Sequence, residues 1–186
     1  RSAFDTRPVV AEQVQSLGGK FVEIDLGETG QTKDGYAQAL TPEQLELQRL
    51  GMKDVISESD IVITTAQLFG RPAPRIITAD MVAAMKKGGV IVDMAVDSGG
   101  NVEGSKPDET VEIDGVSIIG MANLPSQVSS DASQMYSSNL YNLVSEYWDE
   151  ENKIFNLDLE DDILKGCVIT HDGGLVNEAI KNIRGS

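Results

Sequence analysis

"RSAFDTRPVV", residues 1–10, governs how the rest of the chain is read. A short stretch with strand character ends on Asp5, and Pro8 follows where the first turn of a helix accepts proline. In a doubly wound α/β unit that binds a nucleotide, an acid at a strand end comes second, after a first strand and a glycine-rich turn. Residues 1–4 leave no room for that earlier unit. Either the likeness is accidental or the sequence carries the later part of such a sheet, and the remaining residues decide between them.

Outward from this stretch the pattern alternates between the two periods. Val10, Val14 and Leu17 recur at helical spacing until Gly18 and Gly19, and Val22, Ile24 and Leu26 then alternate as a strand within "KFVEIDL". Residues 27–40 are polar and glycine-rich, a composition shared by functional lids and by disorder. Thr41, Pro42 and Gln44 have the spacing of a capping box, which predicts a helix to about Ser57. "DIVITT" predicts a buried strand, and Gly70, Pro72 and Pro74 keep the following segment irregular. A helix capped by Thr78 is expected to end on Lys86 and Lys87, whose charges suit its negative end. "GVIVDMAV" is a further buried strand, and Asp114-Gly115 between two alternating runs predicts a hairpin whose second run enters the main sheet. A helix over about 132–147 precedes an acidic tail in which "KIFNLDL" and "CVITHDG" each have room for a strand. The succession of strands and helices predicts a parallel sheet of βαβ units with helices on both faces.

Composition narrows the function classes. The 186 residues include 30 acidic and 15 basic side chains, a formal charge of -15 that repels nucleic-acid phosphates and anionic lipid, so no nucleic-acid partner is expected. No apolar run approaches the ~18 residues of a membrane span. One cysteine and one histidine exclude an internal disulfide and argue against zinc, and no metal site is expected. Cys167, between apolar neighbours, is expected in the core. His171 beside Asp172 lacks a second polar partner in the sequence and reads as structural, so no catalytic side chain is assigned. The run of Asp158, Glu160, Asp161 and Asp162 lacks the glycine turn of a calcium loop and reads as a solvated face. Tyr136, Tyr141, Tyr147 and Trp148 suit a lobe interface. Asp5 has two readings: an acid favoured at a helix start, or a carboxylate that accepts the hydroxyls of an adenosine ribose and repels the extra phosphate of NADP.

Eight segments taken in order, "AFDTRP", "EQVQSLGGKF", "DGYAQ", "DIVITTA" with "GRPAP", "ITADMVAAMKKGGVIVDMAVDSGGN", "NLPSQVSSDASQMYSSNL" and "VITHDGGLV", resemble the NAD(H)-binding subunit or domain of proton-translocating NAD(P) transhydrogenase, a relative of alanine dehydrogenase. The resemblance spans nearly the whole chain. It implies a Rossmann-like sheet lacking its first strand and glycine-rich loop over residues 1–131, with residues 132–186 connecting to and belonging to a second lobe. It also implies NAD as cofactor, hydride transfer between NADH and NADP coupled to proton movement, and partner subunits that bind NADP and cross the membrane. A homodimer on the cytoplasmic face of a bacterial inner membrane, or on the matrix side in mitochondria, follows from the same likeness. The family's first lobe is expected elsewhere, on another chain or cut away, and these 186 residues alone are expected neither to bind NADH tightly nor to transfer hydride.

By the same resemblance Asp5, Thr6 and Arg7 would meet the adenosine ribose and adenine. Gly35 and Tyr36 would belong to a loop that folds over the nucleotide, and Gln48 would lie on the following helix. Gln67-Leu68-Phe69 departs from the family's Leu-Ile-Pro, making one wall of the cleft more polar, and Leu40 stands where methionine is common. An alanine dehydrogenase fragment and a non-catalytic interaction fragment are the alternative readings.

Overall fold

The computed structural model describes residues 1–7, 9–27, 40–68 and 70–185. Among these, two compact units divide the chain, Arg1–Ala122 and Asn123–Ser186.

The first unit opens with a two-stranded parallel pair, β1 (Ser2–Ala3) and β2 (Lys20–Phe21), joined through helix α1 (Val9–Ser16). Gly18 adopts φ +74° just beyond α1, a conformation that costs glycine little and stops the helix where the sequence predicts. Leu17 lies past that end and is 89% exposed, so it does not join the apolar face of Val10 and Val14. The strand expected over "KFVEIDL" pairs only at Lys20 and Phe21, plus one bond from Val22 N to Ala3 O (2.9 Å). Its partner ends early because Asp5 turns the chain, its Oδ1 accepting the Arg7 backbone N–H at 2.8 Å.

Helix α2 (Pro42–Glu58) begins as its spacing requires. Thr41 Oγ1 accepts from Gln44 N (3.3 Å), and Gln44 Oε1 accepts from Thr41 N (2.9 Å). There follow β3 (Ile61–Thr64), α3 (Ala79–Ala84), β4 (Val90–Asp93) and the hairpin β5 (Glu109–Ile113) and β6 (Val116–Gly120). These strands form a four-stranded sheet in the order β3-β4-β6-β5, parallel except at the β5 edge. Asp114 (φ 52°) and Gly115 (φ 81°) supply the two left-handed residues of a tight hairpin turn. Helix α3 stops at Met85, before the two lysines expected at its end, and Lys86 Nζ instead donates to the α2 carbonyl of Glu58 (3.0 Å).

Ile56 of α2 and Met81 and Val82 of α3 pack with Ile91 of β4 and Val116 and Ile118 of β6 into one closed cluster. On the other face of β3, Ile61 and Ile63 are 66% and 61% exposed.

In the second unit, α4 (Ser129–Glu146) leads to the antiparallel pair β7 (Trp148–Asp149) and β8 (Ile154–Phe155), then α5 (Asp162–Cys167), the pair β9 (Thr170–His171) and β10 (Gly174–Leu175), and α6 (Glu178–Arg184). Both short strands expected in the tail are present. Asp161 joins two of these elements: its Oδ1 accepts Ile163 N (2.9 Å) and Leu164 N (3.0 Å) at the start of α5 and the Tyr147 hydroxyl at 2.7 Å. That last bond is the chief reason the Tyr147 phenol is pushed up to about 12. Cys167 does not enter the core. It is exposed at the carboxyl end of α5, the helix whose buried residue is Leu164.

Candidate functional site

Parallel strands place their loops at the carboxyl edge of the sheet, where open α/β folds bind ligands. Both parallel arrangements in the first unit build something there.

At the end of β1, residues 4–6 and residues 21–27 line a cleft of about 170 Å³ whose walls carry Phe4 and Phe21 beside the carboxylates of Asp5, Glu23 and Asp25. Asp5 is the best-held of these acids. Its Oδ1 accepts from Arg7 N (2.8 Å) and Arg7 Nε (3.0 Å), and its Oδ2 accepts from Arg7 Nη2 (2.9 Å). Burial alone would raise the Asp5 carboxyl, but the Arg7 hydrogen bonds and charge outweigh it and hold the group below the ordinary carboxylate range. Asp5 is thus ionised and fixed in orientation.

Gln44 and Gly51 of α2 both meet the second wall. Gln44 Nε2 donates to Leu26 O at 2.8 Å, and Gly51 lies so close to Ile24 that an added Cβ would stand 2.9 Å from its side chain. Gln48 lies between them on the same helical stripe and is half-buried. Asp5 and Thr6 therefore line one cleft, Arg7 is bonded to Asp5 beside it, and Gln48 lies on the helix that backs it. Gln67 belongs to the other sheet, in the loop after β3, where its Nε2 reaches Met94 O at 3.3 Å. Gly35 and Tyr36, with the expected lid over most of 27–40, lie outside the described residues, as does Phe69.

The carboxyl edge of the four-stranded sheet holds a polar network that the sequence pattern alone does not single out. Asp93, at the end of β4, is fully buried, and its carboxylate accepts the backbone N–H groups of Ala95 (3.1 Å), Asn101 (3.2 Å) and Val102 (3.2 Å). Asn101, also fully buried, accepts from Ala66 N (3.0 Å) and donates to Ala66 O (2.9 Å) and Pro74 O (2.8 Å). One carboxylate and one amide therefore tie the loop after β3 to the loop after β4. Gly100 makes this possible: at φ +79° a Cβ there would meet Asp93 Oδ2 at 2.7 Å. The signal for it lies in "VDMAVDSGGN", an acid closing a buried strand and followed by two glycines and an amide.

The remaining candidates fall elsewhere. His171 Nε2 lies 3.3 Å from the exposed Asp172 carboxylate in the β9–β10 turn. Asp161 of the acidic run is occupied as a helix cap, and among the described residues no group of three or more His, Cys, Asp or Glu is placed to hold a metal ion. No helix among them is long and apolar enough to cross a membrane.

Comparison with known proteins agrees with this architecture. The NAD(P) transhydrogenase subunit alpha of Cereibacter sphaeroides is 41% identical over 176 residues, which are 93% of this chain and 34% of that protein. The subunit alpha of Haemophilus influenzae is 43% identical over 175 residues, 92% of this chain and 34% of the relative. Among solved structures, the transhydrogenase of Sinorhizobium meliloti superposes with a TM-score of 0.68 at 38% identity, over 94% of this chain and 45% of that one. Alanine dehydrogenases are more distant. The chain spans less than half of the length of these transhydrogenase relatives, and its sheet is Rossmann-like. The family described as "Alanine dehydrogenase/PNT, C-terminal domain" matches residues 2–178, and this chain belongs to it.

Proposed function

We propose that this chain is the NAD(H)-binding part of an NAD(P) transhydrogenase, an oxidoreductase that passes hydride between NADH and NADP. The observation that carries the reading is the Asp5 carboxylate, ionised and held at the mouth of a cleft beyond β1, in a chain 41% identical to a transhydrogenase alpha subunit. The residues present suit the adenosine end of NAD. Asp5 offers an acceptor to the ribose hydroxyls and a like charge against a 2′-phosphate, and Phe4 and Phe21 offer apolar surface beside it. Bound NAD(H) would supply the hydride. Asp5, Thr6 and Arg7 would bind and orient its adenosine end, with Gln48 on the adjoining helix, and Gln67 stands on the loop braced by Asn101. Gly35 and Tyr36 complete the proposed contacts. Holding two reactants close in a fixed geometry is the main task of such a protein, and it requires no nucleophilic side chain.

On this reading residues 132–186 belong to a second lobe. The chain works as a homodimer beside NADP-binding and membrane-spanning subunits, at the cytoplasmic face of a bacterial membrane or its mitochondrial counterpart. The names of the relatives, subunit alpha, support partners of this kind.

Calorimetric titration of the full-length protein tests the assignment. NADH should bind at least ten times more tightly than NADPH, about 1.4 kcal/mol. Equal affinities would overturn it.

A further inference from the structure

The Asp5–Arg7 pair has a geometry that a ribose-reading acid alone would not need. The guanidinium meets the carboxylate at two points, Nε to Oδ1 at 3.0 Å and Nη2 to Oδ2 at 2.9 Å, while the Arg7 backbone N–H closes the intervening turn at 2.8 Å. The side chains of both residues keep surface accessible, 27% for Asp5 and 37% for Arg7. Arginine keeps its charge at every working pH, and its planar fork suits phosphate as well as it suits carboxylate. A permanent cation therefore stands within hydrogen-bond distance of the group that would face the ribose 2′ position. In NADP-binding sheets an arginine near that point receives the 2′-phosphate.

We propose that Asp5, on the nucleotide reading above, also serves as a keeper of Arg7: by occupying the guanidinium fork it withholds a latent 2′-phosphate site from NADP(H). Removing the Asp5 charge then converts selectivity instead of merely erasing it. Asparagine is the informative replacement. Its one carbonyl oxygen can still accept from Arg7 N and Nε and so keep the turn, whereas its amide N–H₂ opposes Nη2 donor to donor. Nη2 thereby loses its acceptor at position 5, and a phosphate oxygen can take that acceptor's place.

The experiment is titration of full-length wild type, Asp5→Asn, Arg7→Gln and the double variant with NADH and NADPH, after circular dichroism has verified folding. Asp5→Asn should bind NADPH at least tenfold more tightly than wild type does, and the gain should vanish in the double variant. An NADPH affinity within twofold of wild type would overturn the proposal, and so would a gain that survives in the double variant, since that gain comes from relief of repulsion without Arg7. Should Asp5→Asn fail to fold, Asp5→Ser, which also keeps a turn-forming oxygen, carries the same readout. The two readings fail differently. A wild type without preference for NADH removes the nucleotide assignment itself, whereas a preference for NADH with no gain in Asp5→Asn removes only the role given to Arg7.

Discussion

The four-stranded sheet and the amino-terminal strand pair are both parallel arrangements linked through helices, yet they achieve order differently. Around the sheet, Ile77, Met81, Val82, Ile91, Val102 and Ile118 are completely buried, and Asp93 and Asn101 are buried among them with their polar atoms bonded. In residues 1–27, Leu26 is the one buried apolar side chain among those described. Asp5 and Arg7 are set there by a local turn and an ion pair, not by surrounding packing. The rigid half braces loops, and the thinly packed half carries Asp5, Thr6 and Arg7, proposed to bind the adenosine end of the nucleotide. Binding groups drawn from less stable segments are common, because a ligand's own contacts complete their ordering.

Three measurements test this contrast. Asp93→Ala should have the largest effect, on the order of 3–5 kcal/mol in urea unfolding, because it strands three backbone N–H groups in the interior. A loss below about 1 kcal/mol would mean the rigid half does not depend on its buried carboxylate. Gln44→Ala should cost about 1–2 kcal/mol, since it removes both the reciprocal half of the α2 cap and the bond to Leu26 O. Hydrogen exchange should then quicken over residues 22–27 and leave β4 and β6 unchanged; equal acceleration in both would erase the distinction. The smallest effect belongs to the Arg7 pair. Because the folded-state pKa of Asp5 is depressed, its contribution is present above the unfolded value of about 3.9 and is lost as pH falls through the lower folded value. Thermal melts of wild type and Arg7→Gln should differ by less than about 1 kcal/mol at pH 7 and converge in acid below pH ~4. A gap that widened in acid would contradict the pairing.

Much of the rigid half was legible in the sequence because its signals are local. Thr41 and Gln44 announce their helix, Asp114-Gly115 its hairpin and "GVIVDMAV" its buried strand, each with a structural outcome that matches, whereas "DIVITT" forms its strand without the burial expected of it, Ile61 and Ile63 being exposed. What escaped depends on partners distant in sequence. Val22–Leu26 alternates like a strand, but the Asp5 turn ends β1 before it can pair. Lys86 is placed correctly for one helix and bonds to another. Cys167 has apolar neighbours in sequence, yet it is exposed and Leu164 is the residue of α5 that is buried. Asp5, Thr6 and Arg7 could be grouped from adjacency alone, whereas the bracing role of Asn101 requires Ala66 and Pro74, residues that only the fold brings to it.

The register of the main sheet carries a separate consequence for chain entropy. Across the hairpin, Ile113 lies opposite Val116, so that pairing closes almost no loop. In the parallel pairs Ile61 lies opposite Val90 and Val90 opposite Ser117, and each must close a crossover containing a helix or the hairpin itself. The conformational cost of assembling the sheet is therefore concentrated in its two crossovers. That cost grows only with the logarithm of length, roughly 0.6 kcal/mol for each doubling. Extra residues inserted in the loop between β3 and α3, away from Ala66 and Pro74, would be thermodynamically inexpensive, while a single residue added at Asp114-Gly115 would shift the register of every β5 side chain.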